Sequence, residues 1–313
     1  MIYTKMKGRL GNQLFKYAFS RKIQIARNRN EKMVFSFNNM IGRDPNDGWE
    51  DALKYFKTKE YFHYEGKGHV VMHKSSFLQR IVAAALYFSI RIIAQNDRYK
   101  RINIIYKWEP ILNKVGLLIV GEHYYEPDIP GTKDVFIDGP FQSKKYFDDI
   151  RDLLLVEFTP KKPPLKSNDE LYAVINNSNS ICVSIRRGDY VTNPEFEKIY
   201  NICSAEYFKK ATDIIKSKID NPTFIIFSDD IEWAKQNINL GADTYYESGN
   251  DPVWEKLRLM YSCKHFIISN SSFSWWAQYL GRYKDKIVIS PSRWYNNEFP
   301  SYLIDDNWIQ IDT

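Results

Sequence analysis

Apolar and polar positions first fall into a readable order, then lose their period, then recover it. Residues 2–6 form a short run of β-formers that predicts a strand. Residues 12–26 carry apolar side chains at helical spacing, and Lys7-Gly8-Arg9-Leu10-Gly11 between them predicts a glycine turn. Strand, glycine turn and helix together open a Rossmann-type unit. From 38 to 126, Tyr, Phe, Lys and His are frequent but do not alternate, so helices joined by long loops are expected. Within that stretch the apolar run 81–94 is broken by Arg91 and is too short to span a bilayer. It predicts an amphipathic or core helix, with contact to a membrane surface as the other reading. Residues 135–138 then predict a strand, followed by Gly139-Pro140 and a helical run over 145–155.

Thr159-Pro160-Lys161-Lys162-Pro163-Pro164 can neither continue a helix nor sit in a central strand. It predicts a linker at 159–164 between domains 1–158 and 165–313. Beyond it the pattern is regular. Strands are expected at 181–185, 223–227, 266–269 and 286–290, the last ended by Pro291. Helices are expected at 254–263 and 273–280, and after Ser204, where Tyr207, Phe208, Ala211, Ile214 and Ile215 share one face. Strands alternating with helices imply a parallel sheet covered on both faces. The fold class is therefore α/β, with two Rossmann-like domains and a cleft between them.

Length agrees, since 313 residues suit two domains of roughly 150 each. The 22 Tyr, 19 Phe and 8 Trp either fill cores or stack on the apolar faces of sugars. A net charge of +6, spread along the chain with no like-charged tail, is compatible with a phosphate-bearing ligand, an anionic membrane or nucleic acid. Cys182, Cys203 and Cys263 have no metal-ligand spacing and are odd in number, which points to a reducing cytoplasm. No secretory leader is expected at the start.

In parallel sheets, ligands bind beyond the carboxyl ends of the strands, and the chemistry-bearing motifs follow predicted strands. Arg186 and Arg187 come directly after one of them. Guanidinium matches phosphate with a bidentate fork and stays charged, while Gly188 permits a sharp turn and Asp189 can hold an arginine. The competing reading is an internal Arg–Asp salt bridge. Ser269-Asn270-Ser271-Ser272-Phe273 opens a helix, whose free amides and serine hydroxyls suit a phosphate. Ordinary capping by Ser271 or Ser272 is compatible with that, and Trp275 and Trp276 are assigned to the core. Gly8 to Gly11 lacks the third glycine of a dinucleotide fingerprint. Asp229 and Asp230 either cap the next helix, serve as acid and base, or bind a metal. No Asp-x-Asp triplet occurs, which favours charge stabilisation by arginine and helix dipole over a divalent ion.

Five segments in order resemble the bacterial alpha-1,2-fucosyltransferases, glycosyltransferase family 11. They are Gly8-Arg9-Leu10-Gly11-Asn12-Gln13-Leu14-Phe15-Lys16-Tyr17-Ala18, Asp138-Gly139-Pro140-Phe141-Gln142-Ser143, Ile185-Arg186-Arg187-Gly188-Asp189-Tyr190, Phe227-Ser228-Asp229-Asp230 and Ile268 to Trp276. The resemblance implies a GT-B fold with the two parallel sheets facing across a cleft, GDP-fucose held by the C-terminal domain and the acceptor by the N-terminal one. It implies inverting transfer of L-fucose to the 2-hydroxyl of a terminal galactose in a surface polysaccharide, with no divalent metal and no other cofactor. By the same carry-over Arg186 meets the donor pyrophosphate, joined by Arg187, Asp229, Ser271, Ser272 and Phe273. Gly11 and Asn12 face the same phosphates from the other domain, and Glu255 is aligned with an acidic residue that reads guanine. Arg186, Asp189 and Asn12 are the catalytic candidates. Where the family has a histidine two residues before the first arginine, this chain has Ser184, which weakens base recognition by that strand.

The partners so implied are GDP-fucose and an oligosaccharide or glycolipid acceptor, with peripheral contact at the cytoplasmic face of the inner membrane. Two other readings stay open: a transferase of different donor or linkage on the same scaffold, and a noncatalytic nucleotide-binding or RNA-binding module. The second requires a clustered basic stripe or an RNA-recognition signature, and neither is expected from this sequence.

Overall fold

The computed structural model describes residues 1–27, 30–45, 48–241 and 243–313, and the chain divides into two compact units, Met1–Phe158 and Thr159–Thr313. The first is built on β1 (Ile2–Lys5), β2 (Met33–Ser36), β3 (Tyr61–His63), β4 (Leu117–Ile119) and β5 (Val135–Asp138). All pair in parallel, in the order β3-β2-β1-β5-β4. Its helices are α1 (Leu10–Ala26), α2 (Val70–Lys74), α3 (Phe77–Ser89), α4 (Arg98–Lys114) and α5 (Arg151–Glu157), and a π-helical turn, Ile90–Ala94, extends α3. Leu14, Phe15, Tyr17, Ala18 and Phe19 of α1 are all buried. Phe19 stacks on Phe141 with ring centroids 4.0 Å apart, and Tyr17 leans on Phe158. Much of the aromatic excess is therefore core.

Strands β3 and β4 correct the expectation of helices and loops between 38 and 126. Each is three residues long, too short for a period to declare itself. Helix α4 also runs through Pro110, which a sequence rule would treat as a stop.

The second unit contains α6 (Asp169–Asn177), β6 (Asn179–Ile185), α7 (Gly188–Thr192), α8 (Pro194–Tyr200), α9 (Ala205–Lys216), β7 (Pro222–Ser228), α10 (Ile231–Asn237), β8 (Thr244–Tyr246), α11 (Val253–Ser262), β9 (His265–Ile268), α12 (Ser272–Leu280), β10 (Val288–Pro291) and β11 (Ile309–Ile311). Its strands are again all parallel, in the order β11-β10-β9-β6-β7-β8. Numbered from β6, this is the Rossmann order 3-2-1-4-5-6 read from β8 to β11. Ile181, Val183, Phe224, Ile226 and Ile267 fill the sheet's core against Tyr207, Phe208, Ala211 and Ile215 of α9. Ser204 caps α9 through its hydroxyl, as its sequence predicts.

Candidate active site

In the second sheet the strand order reverses between β6 and β9, the place where open parallel sheets bind their ligands. The loop after β6 carries Arg186, Arg187, Gly188 and Asp189. The loop after β9 carries Asn270, Ser271 and the start of α12, and the end of β7, on the other side of β6, carries Asp229 and Asp230.

Arg186 is held from two sides. One nitrogen lies 2.6 Å from an Asp229 oxygen, another donates to Asp189, and the guanidinium sits 5.3 Å above the Tyr190 ring. Burial works against its charge, but Asp229 and Asp189 together outweigh that and hold its pKa above the ordinary arginine value. The internal salt bridge is thus present. A guanidinium has more donors than two carboxylate contacts consume, so it can still meet a phosphate. Asp229, expected to contact ligand, turns both oxygens on the arginine loop, since its other oxygen accepts the Arg187 backbone N–H at 2.8 Å. Gly188 has φ +23°, and a Cβ there would lie 2.4 Å from an Asp229 oxygen, so only glycine allows this close approach. The side chain of Arg187 packs on Trp233, 3.6 Å from the ring centroid, with its Nε 3.4 Å from Asp230.

Across the switch point, the Ser271 hydroxyl caps α12 by accepting the Phe273 N–H at 3.3 Å. First-turn amides of a helix lack intrahelical acceptors and favour anions. Tyr190 ties the two loops together by donating to the Asn270 carbonyl, while Asn270 itself donates to the carbonyls of Tyr200 and Trp294. Ser184 faces inward, 2.6 Å from the Ser274 hydroxyl, which in turn lies 3.3 Å from that of Ser269. Trp275 and Trp276 are buried, Trp275 donating to the Leu303 carbonyl.

Glu255, aligned with an acidic residue that reads guanine, sits in a hydrogen-bond network of its own. It is fully buried and accepts hydrogen bonds from Leu165 N–H, Asn168, Tyr172 and Arg258. Those bonds fasten the segment after the linker, and α6, to α11. A base could reach this carboxylate only by dismantling them.

Gly11 and Asn12 belong to the other unit, in the first turn of α1, where the Asn12 side-chain Oδ1 accepts from the Gln142 amide at 2.9 Å. That sheet too reverses order, between β1 and β5. At this second switch point lies a polar cluster that sequence reasoning did not assign. Lys5 contacts Asp138 at 2.9 Å, His69 lies 3.3 Å from Lys5 and 3.6 Å from Asp138, and Lys16 donates to the Gly139 carbonyl. Burial lowers the Lys16 pKa to about 8. Burial pushes Asp138 up, but the His69 hydrogen bond and the charges of Lys5 and Lys16 more than reverse it, leaving Asp138 well below the ordinary carboxylate range. The available signal was a pair of charged residues at the ends of two predicted strands. Among the described residues, no three His, Cys, Asp or Glu side chains group as a metal would require, and the three cysteines are free thiols.

Two units, each an all-parallel sheet with a switch point, match the plan of the GT-B fold class. In keeping with that class, the fold resembles crystal structures of NodZ, an alpha-1,6-fucosyltransferase. The form soaked with GDP-fucose gives a TM-score of 0.50 over 89% of this chain and 91% of that one, and the Bradyrhizobium structure gives 0.51 over 88% and 91%. At 13% identity this likeness is one of fold. Residues 1–312 match the glycosyl transferase family 11 description, and the chain belongs to that family. Among curated relatives, it is 36% identical over 180 residues to an alpha-1,2-colitosyltransferase of Escherichia coli, covering 56% of this chain and 61% of that protein. It is 32% identical over 177 residues to the Escherichia coli O-antigen biosynthesis glycosyltransferase WbnK, covering 55% and 59%. The human galactoside alpha-(1,2)-fucosyltransferase 1 matches at 30% over 101 residues, 31% of this chain and 28% of that one. The matched region thus spans about 60% of the length of the two bacterial relatives.

Proposed function

We propose that this chain is an inverting α-1,2-glycosyltransferase that moves L-fucose from GDP-fucose to a sugar hydroxyl without a divalent metal. The observation that carries the reading is the pairing of Arg186 with the N-terminus of α12 at adjacent strand ends of a Rossmann switch point. As the C1–O bond of the donor stretches, charge gathers on the β-phosphate. A fixed guanidinium and oriented amides stabilise that charge without reorganising. Asp189 and Asp229 position the arginine, and Ser271 fixes the first turn of the helix. The acceptor is the 2-hydroxyl of a terminal galactose in a surface polysaccharide, bound by the N-terminal unit with Lys5, Asp138 and His69 at its polar rim. Membership of family 11 and the α-1,2 linkage in relatives' names support this reading.

A second reading is favoured by the relative named as a colitosyltransferase. Colitose is fucose without its 3-hydroxyl. A site that hydrogen-bonds this hydroxyl rejects the deoxy donor by about 10⁴-fold or more, whereas an apolar contact there discriminates weakly. The test is GDP release from GDP-fucose and from GDP-colitose, with a galactoside acceptor and EDTA present, and NMR of the product's anomeric linkage. Acceptor-dependent turnover of GDP-fucose with an α product supports the first reading. Turnover of GDP-colitose alone supports the second, and turnover that EDTA abolishes sinks the metal-independent mechanism.

A further inference from the structure

The helical stretch Phe77–Ala94, formed by α3 and the π-helical turn after it, has two apolar faces, and only one is covered. Its inner face rests on the core of the first unit, where Ala83 and Leu86 are fully buried. Gln79 pins this face down by donating to the carbonyls of Val115 at 2.8 Å and Asp134 at 3.1 Å. Phe77, Ile81, Ala84, Phe88 and Ile92 follow one another at helical spacing on the outer face. Phe77 is 77% exposed, Phe88 65%, Ile92 55% and Ile93 59%. The stretch is long and apolar enough, by length and composition, to cross a membrane, yet only 22% of it is buried. A core helix would be covered, and a contiguous exposed stripe of this kind marks an interaction surface.

Charge identifies the partner. Residues 70–114 hold eight Lys and Arg against two Asp and Glu, a net +6. That equals the net charge of the whole chain, which elsewhere balances 36 against 36. The excess expected to be spread along the sequence is therefore concentrated here. Both acids are occupied locally: Asp97 caps α4 by accepting the Lys100 N–H, and buried Glu109 pairs with His123. Arg80, Arg91, Lys100, Arg101 and Lys107 are exposed, as are Tyr99 and Tyr106 of α4. Helices α3 and α4 lay their inner faces on the same core, so their outer faces look away from it.

We infer that α3, its π-helical extension and α4 dock flat on an anionic lipid bilayer, with the stripe Phe77–Phe88–Ile92 at the acyl boundary and the lysines and arginines among the headgroups. Apolar stripe, interfacial tyrosines and flanking cations are the composition of a helix that lies in the interface. Spanning is excluded while the inner face keeps its bonds to the sheet. The inference stands apart from the donor and the reaction, and its test does not read them.

The experiment is flotation of the full chain with vesicles of phosphatidylcholine alone or with about a third phosphatidylglycerol, at low and physiological salt. One variant carries Phe88→Ser and Ile92→Ser, the other Lys100→Glu, Arg101→Glu and Lys107→Glu. An unchanged Tm serves as the control for folding. Wild-type protein is expected to float with anionic vesicles only. The charge-reversal variant should lose about a hundredfold or more in partitioning, and the apolar variant about tenfold. No flotation of the wild type with anionic vesicles at low salt overturns the inference, as does equal binding by either folded variant. If the apolar variant turns a dimer into a monomer in sedimentation and leaves flotation unchanged, the stripe belongs to a second copy of the chain, and the inference is again overturned.

Discussion

Arg186→Ala removes the one side chain on which the proposed chemistry and the local electrostatics both converge. Its guanidinium has two carboxylates within contact, Asp229 at 2.6 Å and Asp189, and all three side chains are about a quarter exposed. Exposed pairs are worth about 0–1 kcal/mol each, and breaking a buried pair costs about 3–5. At this intermediate burial, losing both contacts should cost about 1–2 kcal/mol. For units of this size that lowers Tm by about 2–8 °C, so the variant stays folded at 25 °C. The catalytic cost is larger. Removing a preorganised donor from developing charge costs about 2.7–4 kcal/mol, or about 10²–10³ in kcat. The assay is steady-state GDP release at saturating donor, alongside GDP affinity by calorimetry and Tm by scanning fluorimetry. Arg186→Lys keeps the charge without the fork and should recover part of the loss. A folded Arg186→Ala variant with wild-type kcat would refute the phosphate assignment and leave the salt bridge as the residue's whole role.

Three further outcomes follow from the same geometry. Gly188→Ala sets a Cβ 2.4 Å from an Asp229 oxygen in a left-handed backbone, so Asp229 must leave Arg186; kcat should fall about tenfold or more with a stability loss of about 1–3 kcal/mol, read by kinetics and denaturant unfolding. Glu255→Ala strips a fully buried acceptor from four donors and strands Arg258, costing about 3–5 kcal/mol. The choice of GDP over other nucleoside diphosphates should be unchanged in any folded fraction, and a changed base preference would restore Glu255 to the site. Lys16, with its pKa lowered from 10.5 to about 8, binds fewer protons folded than unfolded between those values, so its contribution becomes more favourable as pH rises through that window. Relative to wild type, Lys16→Met should therefore lose about 3 kcal/mol of its stability advantage between pH 7.5 and 10.5, and parallel urea-unfolding profiles would show that this lysine is not desolvated.

The C-terminal sheet was legible because β6 and β7, seven residues each, hold the apolar runs Ile181–Val183 and Phe224–Phe227, as strands buried on both faces do. Arginines directly after such a strand, and a serine cluster directly after another, mark candidate ligand loops by position alone. Short strands such as β3 and β8, three residues each, sit at sheet edges and carry no period. The setting of Glu255 was hidden for a different reason. Spacing fixes where a carboxylate lies along a helix, but which face is covered depended on a segment about 90 residues away in sequence. The polar cluster on the first unit was hidden likewise, since Lys5, His69 and Asp138 are far apart in the chain and meet only through strand order.

The protonation state of that cluster bears on the proposed mechanism. A general base works best with a pKa near the operating pH. Asp138 is held well below the carboxylate range by His69, Lys5 and Lys16, so it can accept a hydrogen bond from an acceptor hydroxyl but removes its proton poorly. Asp189 spends an oxygen on Arg186, which is positively charged at every working pH. Of the two carboxylates, Asp138 is thus a poor base, and Asp189 is engaged by the arginine. The reaction this leaves is one in which departure of the GDP leads and proton loss from the hydroxyl lags. Such a transition state places its demand on the phosphate side, where Arg186 and the first turn of α12 already stand. It also predicts that kcat is flat between about pH 6 and 8, with no rise that tracks a carboxylate or histidine, and a bell centred there would return a base to the mechanism.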